Sequence, residues 1–333
     1  MNLLLLLAHS IEEYDQVRLL SSLGYDVFSI GAYTDPLNPG DDKRPAILDA
    51  PRHPELEAYV NAADTMATKD RLPGELIDWA DAIIVHHFPE RWIAGQWDAI
   101  GRKRVIWRTV GQSSPATEMV MGTLPHRGRL EIIRYSPAER DAFLRMGVYA
   151  GEDATIRFYK DPDEWTDWRG DREVVGNVTQ DMAKRAEACG LRYWMTATRG
   201  LPALPAGPGS GALRGVGELD YEAMREYLRS IRAYLYTGTR PASYTLGLIE
   251  AMMTGVPVVS IGPQAFGIPD IFEGHTITGW WFDDPEKAGR ALARLLESTD
   301  VAQERSGVVR ARAIDLFGRD AIAAQWRAYL GEP

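Results

Sequence analysis

The chain has 333 residues with 45% apolar and 25% charged side chains, the balance of a folded globular protein, which excludes disordered, collagen-like and coiled-coil classes and at this length predicts two domains. Lys plus Arg number 37 against 47 for Asp plus Glu, a formal charge of −10, so the surface as a whole repels nucleic-acid backbones and anionic membranes, leaving such partners only a local basic groove. One cysteine, Cys189, permits neither an internal disulfide nor a cysteine-cluster metal site and points to a reducing, cytoplasmic setting.

Leu3 to Ala8 is too short for a membrane helix and lacks the basic start of a signal peptide; it has the length of a buried parallel strand. Ile11 to Leu23 follows at helical spacing, and after Gly24 the run Tyr25 to Gly31 reads as a second strand, so the chain opens as a βαβ unit. The proline-rich stretch 34–54 is expected to be a contact-ordered loop or a flap. Leu76 to Ala80 closes a helix, and Ala82 to His87, Arg104 to Arg108 and Ile132 to Tyr135 read as strands. Ser136, Pro137 and Glu139 then mark a helix start. The first domain is expected to span 1–150 and the second 151–333, with the last helix packing back on the first.

In the second half, strands are expected at Glu173 to Gly176, Arg192 to Met195, Ala233 to Tyr236 and Val256 to Ile261, and amphipathic helices at 179–189, 220–231 and 244–254. The Pro- and Gly-rich stretch 201–217 reads as a loop. The fold class is therefore α/β, two doubly wound Rossmann-like halves with ligands expected at the carboxyl ends of the strands in one central cleft.

The densest chemical signal is 233–282. A strand leads through Arg240, Pro241, Ser243, Tyr244 and Thr245 into a helix that carries Glu250. Amides and dipole at that helix start suit a diphosphate, and a carboxylate two turns in can accept two hydrogen bonds from a ribose diol. The glycine-rich loop from Gly262 to Gly267 would line the same cleft.

Thr239 to Met252 followed by Gly255-Val256-Pro257-Val258-Val259, with Gly215 to Tyr221 upstream, resembles the second domain of nucleotide-sugar glycosyltransferases of GT-B fold, most closely the retaining family 4. The resemblance covers about 172–300; the first half agrees only in its β/α rhythm. It implies a retaining transfer of a sugar from a nucleoside diphosphate donor, UDP favoured, to a hydroxyl acceptor held by the first domain, with no cofactor, no metal and no transmembrane segment. Donor-binding candidates are Glu250, Tyr244, Thr245, Ser243, Arg240, Lys184, Gly176 and Gly267; catalytic candidates are Gln112, His87 and Thr109.

Three departures stand out. The family's first motif glutamate falls on Ala242; Gly176 is followed by Asn177 where basic residues normally meet the diphosphate, leaving Lys184 or Arg240; and Arg108 to Ser113 stands where the family has a histidine. Lys184, beside Arg185, also reads as an ordinary exposed helix residue. An epimerase or hydrolase of the same fold, or a donor-binding module without turnover, stays open. Finally, 99–146 holds nine basic residues against four acidic, and Arg102, Arg104 and Arg108 suggest an anionic acceptor: a hydroxymethylated DNA base, a glycan or a lipid head group.

Overall fold

Strand β1 (Asn2–Leu6) sends Leu4 and Leu6 into one apolar cluster and Leu3 and Leu5 into another, the signature of a strand covered on both faces. In the computed structural model, which describes residues 1–7, 9–31, 44–45, 53–60, 71–111, 113–124, 130–262, 269–272 and 280–333, the chain divides into two compact units, Met1–Tyr159 with Ile322–Pro333, and Lys160–Ala321.

The first unit follows β1 with helix α1 (Ser10–Ser22), β2 (Asp26–Ile30), α2 (Pro54–Glu57), α3 (Gly74–Trp79), β3 (Ala82–Val85), α4 (Pro89–Trp92), α5 (Trp97–Ile100), β4 (Arg104–Arg108), α6 (Pro115–Thr123), β5 (Leu130–Arg134), α7 (Pro137–Met146) and β6 (Ala154–Thr155). The six strands form one parallel sheet in the order β2-β1-β3-β4-β5-β6, with Leu3 facing Val27 on one side and Ala82 on the other. The expected division at residue 150 falls before β6, whose Ala154 and Thr155 pair with Ile133 and Arg134, so the first unit runs on to Tyr159. The proline-rich stretch lies largely outside the described residues.

The second unit contains β7 (Arg172–Val178), α8 (Leu191–Ala197), β8 (Ala203–Ala206), α9 (Tyr221–Ser230), β9 (Ile231–Tyr236), α10 (Leu246–Thr254), β10 (Val258–Ile261), β11 (Trp281–Phe282), α11 (Pro285–Glu297) and α12 (Thr299–Phe317). Its parallel sheet has the order β11-β10-β9-β7-β8. Helix α13 (Arg319–Leu330) ends in the first unit, where Ile322, Trp326 and Leu330 join the cluster of Leu3, Leu5 and Tyr25.

Three expectations are corrected here. Arg192 to Met195 is helix, not strand: Gly190 at φ 65° starts α8, whose Tyr193 and Trp194 are buried while Met195 is exposed. Tertiary packing here overrides the strand preference of the aromatic residues. The sheet position that this run was expected to fill is taken by β8, inside the stretch 201–217 read as a loop. Pro205 sits in β8 because β8 is the edge strand, where a missing N–H costs no ladder bond. Residues 180–190 form turns rather than the expected amphipathic helix.

Candidate functional site

In the second unit the start of α10 rests on the end of β7. A Cβ on Gly247 would stand 3.1 Å from Val178 Cβ, so glycine is what permits this approach. Thr245 caps the helix, its extended backbone letting Oγ1 accept from the Leu248 amide at 3.3 Å. The end of β7 is fixed in turn: Asn177 Nδ2 donates to the Leu235 carbonyl at 2.7 Å and the Val178 amide to Tyr234 Oη at 3.0 Å. Burial first, and the Glu250 charge further, hold the Tyr234 phenol protonated against the opposing pull of the Val178 bond. The segment after β9 is tied to the 181–190 turns, with Thr237 Oγ1 donating to the Cys189 carbonyl at 2.8 Å and the Arg240 amide to the Ala188 carbonyl at 2.9 Å.

Glu250 lies on the second turn of α10 and is buried, with Lys160 Nζ donating to its Oε1 at 2.8 Å. Lys160, itself fully buried, escaped the sequence reading because nothing in the local run Tyr159-Lys160-Asp161 distinguishes it from a surface lysine. Thr245 and Glu250 thus share one helix start. The other donor candidates are placed differently. Gly176 is not at a strand end: β7 runs on to Val178, and a Cβ on Gly176 would meet Ile231 Cδ1 at 2.4 Å and Tyr227 Oη at 2.5 Å, so its glycine serves close packing. Lys184 is 80% exposed and pairs with Asp181 at 3.1 Å, and Arg240 is exposed. Ser243 and Tyr244 are buried, the Tyr244 ring lying edge-on to Phe317 at 5.4 Å. Gly267 lies outside the described residues.

In the first unit, a cavity of about 140 Å³ opens at the carboxyl ends of β3 and β4, lined among others by His86, His87, Trp107, Ser113 and Thr117. His87 is 7% exposed and stacks with His9 at 6.5 Å. Burial, reinforced by the neighbouring His9, lowers its pKa to about 4, so at neutral pH it is an uncharged ring. Burial, Arg108 and His87 push His86 well below the usual histidine range, and its Nε2 stands 3.7 Å from Glu12 Oε1. Phe88, on the rim, takes a left-handed backbone at φ 54°.

Thr109, expected to be catalytic, is fully buried. Its Oγ1 donates to Glu139 Oε2 at 2.5 Å and accepts from the Tyr135 amide at 3.2 Å. Burial dominates at Glu139 and raises its pKa to about 7, against the lowering influence of Arg134 and the Thr109 bond. Arg134 in turn grips Glu118 through two bonds of 2.5 and 2.8 Å, all inside the unit. Ser136 caps α7 as expected, but Glu139 reaches Thr109 across the fold, a role its position in the helix start does not reveal. Gln112 lies outside the described residues.

The three arginines suggested for an anionic acceptor are not gathered on one face. Arg102 is exposed and bound to Asp78; Arg104 makes a two-pronged contact with Glu131 at 2.7 and 2.8 Å and stacks over Tyr329; Arg108 is fully buried over Phe158. Among the described residues no group of three or more His, Cys, Asp or Glu is arranged to hold a metal, and no helix is long and apolar enough to cross a membrane.

Residues 211–308 match the family described as glycosyl transferases group 1. No curated protein sequence matches the chain. Among solved structures, Anabaena HepE in complex with UDP-glucose superposes with a TM-score of 0.70 at 16% identity over 100% of both chains. Sucrose-phosphate synthase from Thermosynechococcus elongatus gives 0.68 at 15%, over 99% of this chain and 98% of that one. A T4 phage BGT mutant in complex with UDP-glucose gives 0.56 at 11%, again over 99% and 98%. The chain therefore has the GT-B fold of nucleotide-sugar glycosyltransferases, and its second unit carries the glycosyl transferases group 1 segment.

Proposed function

We propose that the protein transfers a sugar from a nucleoside diphosphate sugar, UDP-linked, to a hydroxyl acceptor with retention at the anomeric carbon. The observation that carries this reading is the Thr245-capped start of α10 set on the end of β7, with Glu250 one turn beyond, inside the segment that matches the glycosyltransferase family. Helix-start amides favour the diphosphate and, more strongly, the charge that builds on it as the glycosidic bond breaks. Glu250 accepts the ribose hydroxyls. HepE and the T4 phage protein, both bound to UDP-glucose, support the choice of base.

The acceptor is assigned to the cavity of the first unit. With a pKa of about 4, His87 is a weak base at neutral pH and suits a hydrogen bond to an acceptor hydroxyl better than removal of its proton. An anionic acceptor draws little support from the described arginines, because Arg104 and Arg134 are already neutralised by Glu131 and Glu118. A second reading, donor binding without turnover, rests on Ala242, which brings only a methyl group where the family has a carboxylate.

UDP release from UDP-glucose, followed chromatographically with and without neutral glycosides or hydroxymethylated duplex DNA, separates these readings. Release that requires an acceptor is expected. Release without any acceptor means hydrolysis, and binding without release means the silent module.

A further inference from the structure

We propose that Lys160 is the positioning residue for the donor ribose: its ammonium holds the Glu250 carboxylate in the orientation that receives the ribose hydroxyls. The inference rests on the donor-site reading of Glu250. Burying either charge alone is costly, and a buried pair repays that cost only in good geometry. Here the geometry is good: Nζ to Oε1 is 2.8 Å, with side chains 0% and 4% exposed.

The position of Lys160 is itself fixed from outside. Its amide donates to the Phe317 carbonyl at 2.9 Å, at the end of α12, and its Nζ lies 5.9 Å from the centre of the Trp165 ring. Arg310, also on α12, donates to the carbonyls of Pro162 at 2.8 Å and Trp165 at 2.6 Å, and to that of Met253 on α10. One guanidinium therefore clamps the segment 160–165 to the helix that bears Glu250. Lys160 thus meets a carboxylate whose backbone is referenced to its own, which is how a binding group is held within a fraction of an ångström.

The test is calorimetric titration of the full chain with UDP and with 2′-deoxy-UDP. Wild type is expected to prefer UDP by about tenfold, the worth of one charged hydrogen bond. Lys160→Gln is expected to bind UDP as weakly as 2′-deoxy-UDP, with affinity for 2′-deoxy-UDP within about twofold of wild type on the same scale. Lys160→Arg, which keeps the charge and protects the fold but changes the shape of the head group, is expected to cut the preference to about threefold. Full preference retained in both variants, or equal loss of both nucleotides, overturns the inference while leaving the Glu250 reading intact. A wild-type protein that binds both nucleotides equally overturns the Glu250 reading and this inference with it.

Discussion

At Glu139 a single buried carboxyl sets a pH dependence. Its folded pKa of about 7 lies above the 4.5 of a free glutamate, so between these values the folded state keeps a proton that the unfolded state has released. Stability from this group is therefore highest below pH 4.5, falls as pH rises toward 7, and is level above that, a total of about 3 kcal/mol. His87, lowered by burial to about 4, acts with the opposite sign between about pH 4 and 6.5, and His86, pushed well below the usual histidine range, acts in the same sense, so the wild-type profile alone mixes these effects. Comparison with Glu139→Gln isolates the carboxyl: urea unfolding is expected to show equal stability at pH 4.5 and a more stable variant at pH 8. A constant difference across that range would mean that Glu139 is ionised throughout. None of this was legible in the sequence, where Glu139 reads as a helix-start residue; its partner Thr109 lies 30 positions away and the two meet only because α7 packs on β5, the strand paired with β4.

Among elements, α10 has both its position and its start written locally. Thr245 as cap, Gly247 for close approach and Gly255 at φ 96° as terminator fix its limits, and the sequence reading placed it within two residues. Thr245→Ala is expected to cost about 1 kcal/mol in urea unfolding, the usual worth of a lost cap. UDP affinity is expected to fall with it, since a frayed first turn no longer presents its amides; unchanged affinity would separate the helix start from the diphosphate. By contrast, β8 and α8 were misread because their cues are non-local. Pro205 is tolerated only because β8 is an edge, and Tyr193 and Trp194 are buried by a core that includes Leu292 and Leu295 of α11. Likewise Gly176 looks like a phosphate-loop glycine in sequence, but only the structure shows Tyr227 and Ile231 filling the space beside it.

For the whole molecule, the parallel order of both sheets followed from β/α alternation, and the GT-B fold from one motif in the second half. Charge was the least transferable reading. The basic excess of 99–146 is real as a count, yet Arg104 and Arg134 pair with Glu131 and Glu118, and Lys103 Nζ donates to the carbonyls of Asp78 and Ala80. A linear tally assigns charge to a surface, whereas here Arg108 and Arg134 are folded inward and Arg102 and Arg104 are tied to neighbouring carboxylates. Thr245 and Glu250 are different, because two residues on one short helix keep their spacing whatever surrounds them. The central claim, that this helix start binds a nucleoside diphosphate, is tested most directly by calorimetric titration of UDP into wild type and Glu250→Ala. The account predicts saturable binding to wild type and a loss of about 10- to 100-fold in the variant, titrated under conditions where urea unfolding shows it folded, because removing the carboxylate leaves the buried Lys160 charge without this partner and destabilises the protein; equal affinity for both folded proteins, or no binding to wild type, would contradict it.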